Sequence, residues 1–204
     1  MRILVRVKVC GLTTIQEIFY ANDTSPDYVG FVFAKSKRQI TVEQARELCF
    51  YLKPGIKKVG VFVDALASEV EYTAKQCDLD ILQFHGTEDP LYCKSFSRQV
   101  WKAFRIENEA SLKPISLYQV DGLLLDSYQT GQMGGSGTCF DWQIASGLTV
   151  GRPLILAGGL SVINVEQAVS ALSPVVVDVS SGVEVDGHKD ITKMQEFIQK
   201  VRSL

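Results

Sequence analysis

The sequence predicts an α/β protein, a single closed (β/α)8 TIM barrel spanning residues 1–204. Three observations lead there. Short apolar runs alternate with helical patterns from one end of the chain to the other, and the runs number eight. They are continuous Val/Ile/Leu/Phe stretches rather than alternating ones, as strands buried on both faces require. No Gly-x-Gly-x-x-Gly turn follows the first run, which disfavours the competing fold, an open doubly wound sheet. Eight parallel strands with crossover helices close most economically into a barrel. The chain lies near the lower end of the roughly 200–400 residues seen for that fold, so its loops must be lean.

Strand one covers 3–9, where Val5-Arg6-Val7-Lys8-Val9 runs into Cys10, and a helix covers 13–22. Strand two, 27–33, contains Gly30-Phe31-Val32-Phe33 and is followed by a helix at 41–52. Strand three, 57–63, carries Val59-Gly60-Val61-Phe62 and precedes a helix at 66–76. Strand four, 79–84, ends Leu82-Gln83-Phe84 ahead of a helix at 89–96, and strand five spans 100–105. The next crossover, 108–119, has Pro114 in its middle and few helical repeats. Proline removes a helix hydrogen bond and clashes with the preceding turn, so the fifth helix is expected to be short or missing. Strand six, 121–125, runs through Gly122-Leu123-Leu124-Leu125 into Asp126. The glycine-rich stretch Gln129 to Thr138 suits either a mobile loop over a substrate or a spacer, before a helix at 141–147. Strand seven, 153–157, a helix at 162–172 and strand eight, 175–179, follow. The last helix, 189–202, presents Ile191, Met194, Phe197, Ile198 and Val201 at helical spacing.

Hydrophobic residues at 46% exclude disorder and fit a sizeable core. A net charge of −2 gives no electrostatic footprint for nucleic acid or an anionic membrane. No apolar run approaches the ~20 residues of a membrane span. The charged N-terminus reads as a strand rather than a signal peptide. Five cysteines (Cys10, Cys49, Cys77, Cys93 and Cys139) are odd in number and form no Cys-x-x-Cys pair. That disfavours a disulfide framework and a zinc site, and points to a reducing cytoplasm. Oligomeric state is not readable from the sequence.

Two strands end on a reactive side chain: Cys10 before Gly11, and Asp126 before Ser127. In a parallel barrel that edge is the catalytic face. A cysteine after an apolar run is either a small buried hydrophobe or, beside a helix start that lowers its pKa, a usable base. An aspartate leaving a strand is either a cap or an acid. Asp178, between valines, must be paired or hydrogen-bonded, with a sugar hydroxyl or a backbone group as the partner. Strand seven ends in Ala157-Gly158-Gly159, and strand eight leads into Ser180-Ser181-Gly182. Small residues there let the backbone approach and donate N–H groups to a phosphate, or simply pack tightly at the rim. Lys35, Lys37 and Arg38 form either a solvated loop or an anion grip, in which a guanidinium would hold a carboxylate bidentately. Gln83 and His85, at the end of strand four, line the pocket or close the loop; with no second ligand at metal spacing, no metal site is expected.

Together these residues resemble the phosphoribosylanthranilate isomerase family, which performs an Amadori rearrangement in tryptophan biosynthesis. The resemblance runs in order through Lys8-Val9-Cys10-Gly11-Leu12-Thr13, Ser36-Lys37-Arg38, Gln83-Phe84-His85-Gly86 and Leu125-Asp126. It continues through Gly134-Gly135-Ser136-Gly137, Leu156-Ala157-Gly158-Gly159-Leu160 and Ser180-Ser181-Gly182-Val183-Glu184. It implies Cys10 as general base, Asp126 as general acid and Arg38 on the anthranilate carboxylate. Gln83, His85 and Asp178 would face the substrate, with Asp178 near the sugar hydroxyls. Ala157, Gly158, Gly159, Ser180, Ser181 and Gly182 would hold the phosphate. It also implies a missing fifth helix, a small-molecule phosphoribosyl anthranilate substrate, and no cofactor, because the substrate's own iminium is the electron sink. The chain departs from the family at Thr138, Gln39 and Gly187-His188-Lys189-Asp190. Two other readings remain. A different phosphosugar barrel is disfavoured: a histidine-pathway isomerase would carry aspartate where Cys10 stands, and the strand-end lysines of indole-glycerol-phosphate synthase are not found. A non-catalytic phosphate-binding module would bind without turnover.

Overall fold

The computed structural model describes residues 4–127, 141–148 and 151–204; the glycine-rich stretch, with Thr138 and Cys139, lies outside them. Eight parallel strands close in chain order: β1 (Arg6–Cys10), β2 (Tyr28–Val32), β3 (Lys57–Phe62), β4 (Ile81–Phe84), β5 (Gln99–Ile106), β6 (Gly122–Ser127), β7 (Leu154–Leu156) and β8 (Val176–Val179). β8 pairs back onto β1, completing the expected barrel.

Around it lie α1 (Ile15–Thr24), α2 (Val42–Tyr51), α3 (Ala67–Gln76), α4 (Pro90–Lys94), α5 (Val165–Leu172) and α6 (Ile191–Arg202). Their starts follow local chemistry. Thr14 with Glu17, and Thr41 with Gln44, satisfy the first N–H groups reciprocally, so α1 and α2 begin after those threonines. Asp89 precedes Pro90 at the first position of α4, where a missing N–H costs nothing. The fifth crossover is a 3-10 stretch, Glu109–Leu117, with Pro114 inside it, as the sequence predicts. The helix expected at 141–147 is instead a single 3-10 turn, Trp142–Ala145. Asp141 caps it at Gln143 N, and Ser146 turns its hydroxyl back onto the Gln143 carbonyl, so the turn closes on itself before Gly147.

The sequence reading did not anticipate the hairpin of β9 (Glu184–Val185) and β10 (His188–Lys189). Its tip, Asp186-Gly187, has φ of 51° and 84°, the doubly left-handed turn whose twist suits a two-residue loop. Lys189 is therefore a strand residue, and α6 starts at Ile191 behind the Asp190 cap.

Strand alternation sorts side chains into two shells. Val7, Val9, Val29, Phe31, Leu123 and Leu125 face the helices. Tyr28, Val59, Ile81, Trp101, Leu124 and Ile155 fill the barrel interior. Tyr28 meets Trp101 edge-on at 5.1 Å. Cross-strand pairing carries the interior parity to Lys8↔Tyr28, Lys8↔Asp178, Val61↔Gln83 and Leu124↔Ala103, hence to Cys10 and Asp126 two residues further along. The reactive groups thus occupy the top layer of a packed interior.

Candidate active site

A cleft of about 880 Å³, including its open mouth, lies over the C-terminal strand ends. Cys10, Arg38, Gln83, His85, Asp126 and Asp178 all line it, together with Ala157, Gly158, Gly159, Ser180 and Ser181. Gly182 is not among the lining residues; a β-carbon there would fall 1.9 Å from the Leu160 carbonyl oxygen.

Cys10 ends β1 beside a cation absent from the candidates read in the sequence. Lys8 is fully buried, and its Nζ donates to Asp178 Oδ2 at 2.8 Å. A β-carbon on Gly30 would fall 2.7 Å from Cys10 Sγ and 3.1 Å from Lys8 Nζ, so thiol and ammonium crowd the space that glycine vacates. Burial pushes the Cys10 thiol up, and the Lys8 ammonium only partly offsets it. This corrects the expectation of a thiol lowered by a helix start. The N–H groups of Thr13 and Thr14 are turned to Glu17 Oε2, at 2.6 and 3.1 Å, and are not aimed at the sulfur. Burial also works against the Lys8 charge, but Asp178 and Cys10 overcome it and hold the ammonium above its ordinary value. The Asp178 carboxyl is raised by burial.

Asp126, in β6, is 5% exposed. Its Oδ1 accepts the Ser127 N–H at 2.8 Å, and its Oδ2 lies 3.0 Å from His85 Nε2. His85 Nδ1 in turn lies 3.1 Å from Gln83 Nε2. Two acceptors on this wall, Gln83 Oε1 and Asp178 Oδ1, are buried with no partner among the described residues. Gly158 (φ +85°) runs so close to β6 that a β-carbon would sit 2.4 Å from Ser127 N and 2.8 Å from Asp126 Oδ1.

Arg38 lies over Gly11, where a β-carbon would meet its Cδ at 2.3 Å. Its Nε and Nη2 donate to the two oxygens of Glu184, both at 2.7 Å. Lys189 Nζ, fully buried, donates to the same carboxylate. Burial pushes the Glu184 carboxyl up, but Arg38 and Lys189 prevail and hold it below its ordinary range. Ser180, expected on a phosphate, spends its hydroxyl on the Cys10 carbonyl at 2.9 Å, which ties the end of β8 to that of β1.

The sequence reading missed Lys8, Glu184 and Lys189, which do not line the cleft but hold the lining residues Asp178, Arg38 and Ser180. Lys8 carried a signal, since it has the interior parity of Cys10 in an otherwise valine strand. Glu184 and Lys189 carried none, because only the hairpin brings them together. The arrangement places a thiol and a carboxyl on one cleft, with glycines at its rim and two buried acceptors that have no partner among the described residues.

Residues 7–200 match the family model described as N-(5'phosphoribosyl)anthranilate (PRA) isomerase. The chain is 46% identical over 202 residues to the N-(5'-phosphoribosyl)anthranilate isomerase of Caldanaerobacter subterraneus subsp. tengcongensis, covering 98% of this chain and 100% of that one. Among solved structures it resembles phosphoribosyl anthranilate isomerase from Thermotoga maritima, with TM-score 0.91, 36% identity and coverage of 98% and 100%. It also resembles a phosphoribosyl anthranilate isomerase in complex with reduced 1-(o-carboxyphenylamino)-1-deoxyribulose 5-phosphate, with TM-score 0.85, 34% identity and coverage of 98% and 100%.

Proposed function

The chain belongs to the N-(5'-phosphoribosyl)anthranilate isomerase family, and from that premise we propose that Cys10 and Asp126 carry out its reaction. The enzyme converts N-(5-phosphoribosyl)anthranilate into 1-(2-carboxyphenylamino)-1-deoxyribulose 5-phosphate, an aldose–ketose isomerisation in tryptophan biosynthesis. Asp126 gives a proton to the furanose ring oxygen as the C1–O bond breaks, and the nitrogen lone pair forms an iminium. The Cys10 thiolate takes the proton from C2, and the electron pair flows into the iminium to give an enolamine. Gain of a proton at C1 and loss of one from the C2 hydroxyl complete the ketone. Acid and base steps of this kind each contribute ~10²–10⁴-fold.

The observation that carries this reading is that Cys10 and Asp126 line one cleft, together with Gln83 and Asp178, whose Oε1 and Oδ1 are buried with no partner among the described residues. Gln83 Oε1 and Asp178 Oδ1 suit the donors of a ribose, since a buried acceptor gains most from a partner it lacks. The backbone of Ala157, Gly158, Gly159, Ser180 and Ser181 suits the phosphate, and Arg38 the anthranilate carboxylate. Lys8 favours the thiolate by charge, against the burial that opposes it. The whole chain acts as one catalytic barrel, and the four cysteines among the described residues, all free, suit a reducing cytoplasm. Among the described residues no helix is long and apolar enough to cross a membrane.

The test follows loss of substrate fluorescence. Cys10→Ala and Asp126→Asn should each lower kcat by about 10²–10⁴-fold while the reduced product analogue still binds. Turnover within a few-fold of the parent in either variant overturns the assignment.

A further inference from the structure

A neutral imidazole carries its proton on one nitrogen and accepts with the other, and the neighbour of one nitrogen decides the chemistry of the other. Here that neighbour is an amide. Gln83 Nε2 lies 3.1 Å from His85 Nδ1, and an amide nitrogen can only donate. With the amide so placed, Nδ1 would accept, the ring proton would sit on Nε2, and Nε2–H would face Asp126 Oδ2, 3.0 Å away. Gln83 is 1% exposed, so its amide is largely shielded from bulk water. Turned over, the amide would offer Oε1 to an Nδ1–H and leave Nε2 with no hydrogen for Asp126. In the orientation present, Oε1 is a buried acceptor without a partner among the described residues, on a residue that lines the cleft. A substrate donor meeting Oε1 would therefore lock the amide in place.

We propose that Gln83 is a positioning residue that fixes His85 as an Nε2–H donor to Asp126, so that the carboxylate left when Asp126 gives up its proton is stabilised as it forms. This rests on the general-acid reading of Asp126 and recasts two residues expected to touch substrate as parts of one device. The proton moves from Asp126 to the furanose oxygen, the C1–O electron pair goes to that oxygen, and His85 keeps its own hydrogen throughout. One hydrogen bond to a developing charge is worth roughly 10–100-fold in rate.

The chain has two histidines, so a long-range ¹H–¹⁵N spectrum of labelled protein reads His85 directly once the exposed His188 is identified by His188→Gln. The parent should show a protonated Nε2 and a bare Nδ1 at His85. A carboxylate at position 83 only accepts, so Gln83→Glu should move the proton to Nδ1 or protonate both nitrogens. It keeps an acceptor for substrate, so kcat should fall roughly 10–100-fold with KM within about threefold. Gln83→Met removes the donor without adding charge; if Gln83→Glu does not fold, this variant should show mixed tautomers and a similar loss of kcat. A proton on Nδ1 in the parent, an unchanged tautomer in Gln83→Met, or a shifted tautomer with unchanged kcat each overturns the proposal. Undiminished turnover by Asp126→Asn would instead defeat the general-acid reading, leaving the tautomer to be judged from the spectrum alone.

Discussion

Replacing Lys8 with methionine keeps the length of the side chain and deletes its charge. The residue is fully buried, and its ammonium is the hydrogen-bond partner of Asp178 Oδ2 at 2.8 Å, while Asp178 Oδ1 has none among the described residues. Lys8→Met therefore leaves a whole carboxyl buried without a donor. Breaking a buried pair from one side costs about 3–5 kcal/mol, because the remaining charge is uncompensated. In a chain of this size each kcal/mol moves the melting midpoint by about 2–4 °C, so a loss of roughly 6–20 °C is expected. The sign with pH is also determined. Burial already raises the Asp178 carboxyl, and Lys8 opposes that rise; without Lys8 the folded state holds the proton more tightly still. A raised folded value means stability lost as pH rises, so the deficit should be large near pH ~8 and shrink towards pH ~5. Lys8→Met/Asp178→Leu, which removes both charges, should recover most of the loss. Calorimetric melts of the parent and the two variants at both pH values decide it. A single variant melting within about 2 °C of the parent near pH ~8, or no better by the double, would refute the reasoning.

Three further outcomes are expected. Gly30→Ala places a methyl 2.7 Å from Cys10 Sγ and 3.1 Å from the Cys10 Cα, so it should cost about 1–3 kcal/mol of stability and lower kcat; Gly147→Ala, which has nothing within 4 Å among the described residues, should be neutral in both assays. Glu184→Gln removes the carboxylate that forks Arg38 and should raise KM about fivefold, the side chains being partly exposed, with kcat little changed. Because the Glu184 carboxyl is depressed in the folded state, its contribution is full above the ordinary carboxylate range and is lost as pH falls through the folded value, so parent and variant melts should converge in acid. Burial pushes Cys49 up to about 12 and Cys77 and Cys93 up to about 11. The native state holds these thiol protons more tightly than the unfolded chain, so melting midpoints should decline above the ordinary thiol value of ~8.5, and alanine at these positions should flatten the decline.

The primary order by itself determined which segments are strands, because continuous apolar runs between helical repeats admit little else, and eight of them in series close a sheet. Pro114, in a stretch with few helical repeats, accounts for the 3-10 helix that stands in place of a fifth α-helix. The strand-end positions of Cys10 and Asp126, and the glycines at 158 and 159, were equally plain. Contacts between distant residues were not. Lys8 meets Asp178 across 170 positions and Arg38 meets Glu184 across 146. Alternation fixes which side of a strand a residue faces, but only closure and register fix which residue it faces there. The direction of the Cys10 thiol was likewise settled by burial, a property of the assembled interior that no neighbour in the chain conveys. The Gln83–His85–Asp126 line depends on two strands being brought to one rim, so tertiary structure decided how the acid is held, while the local sequence had already supplied it.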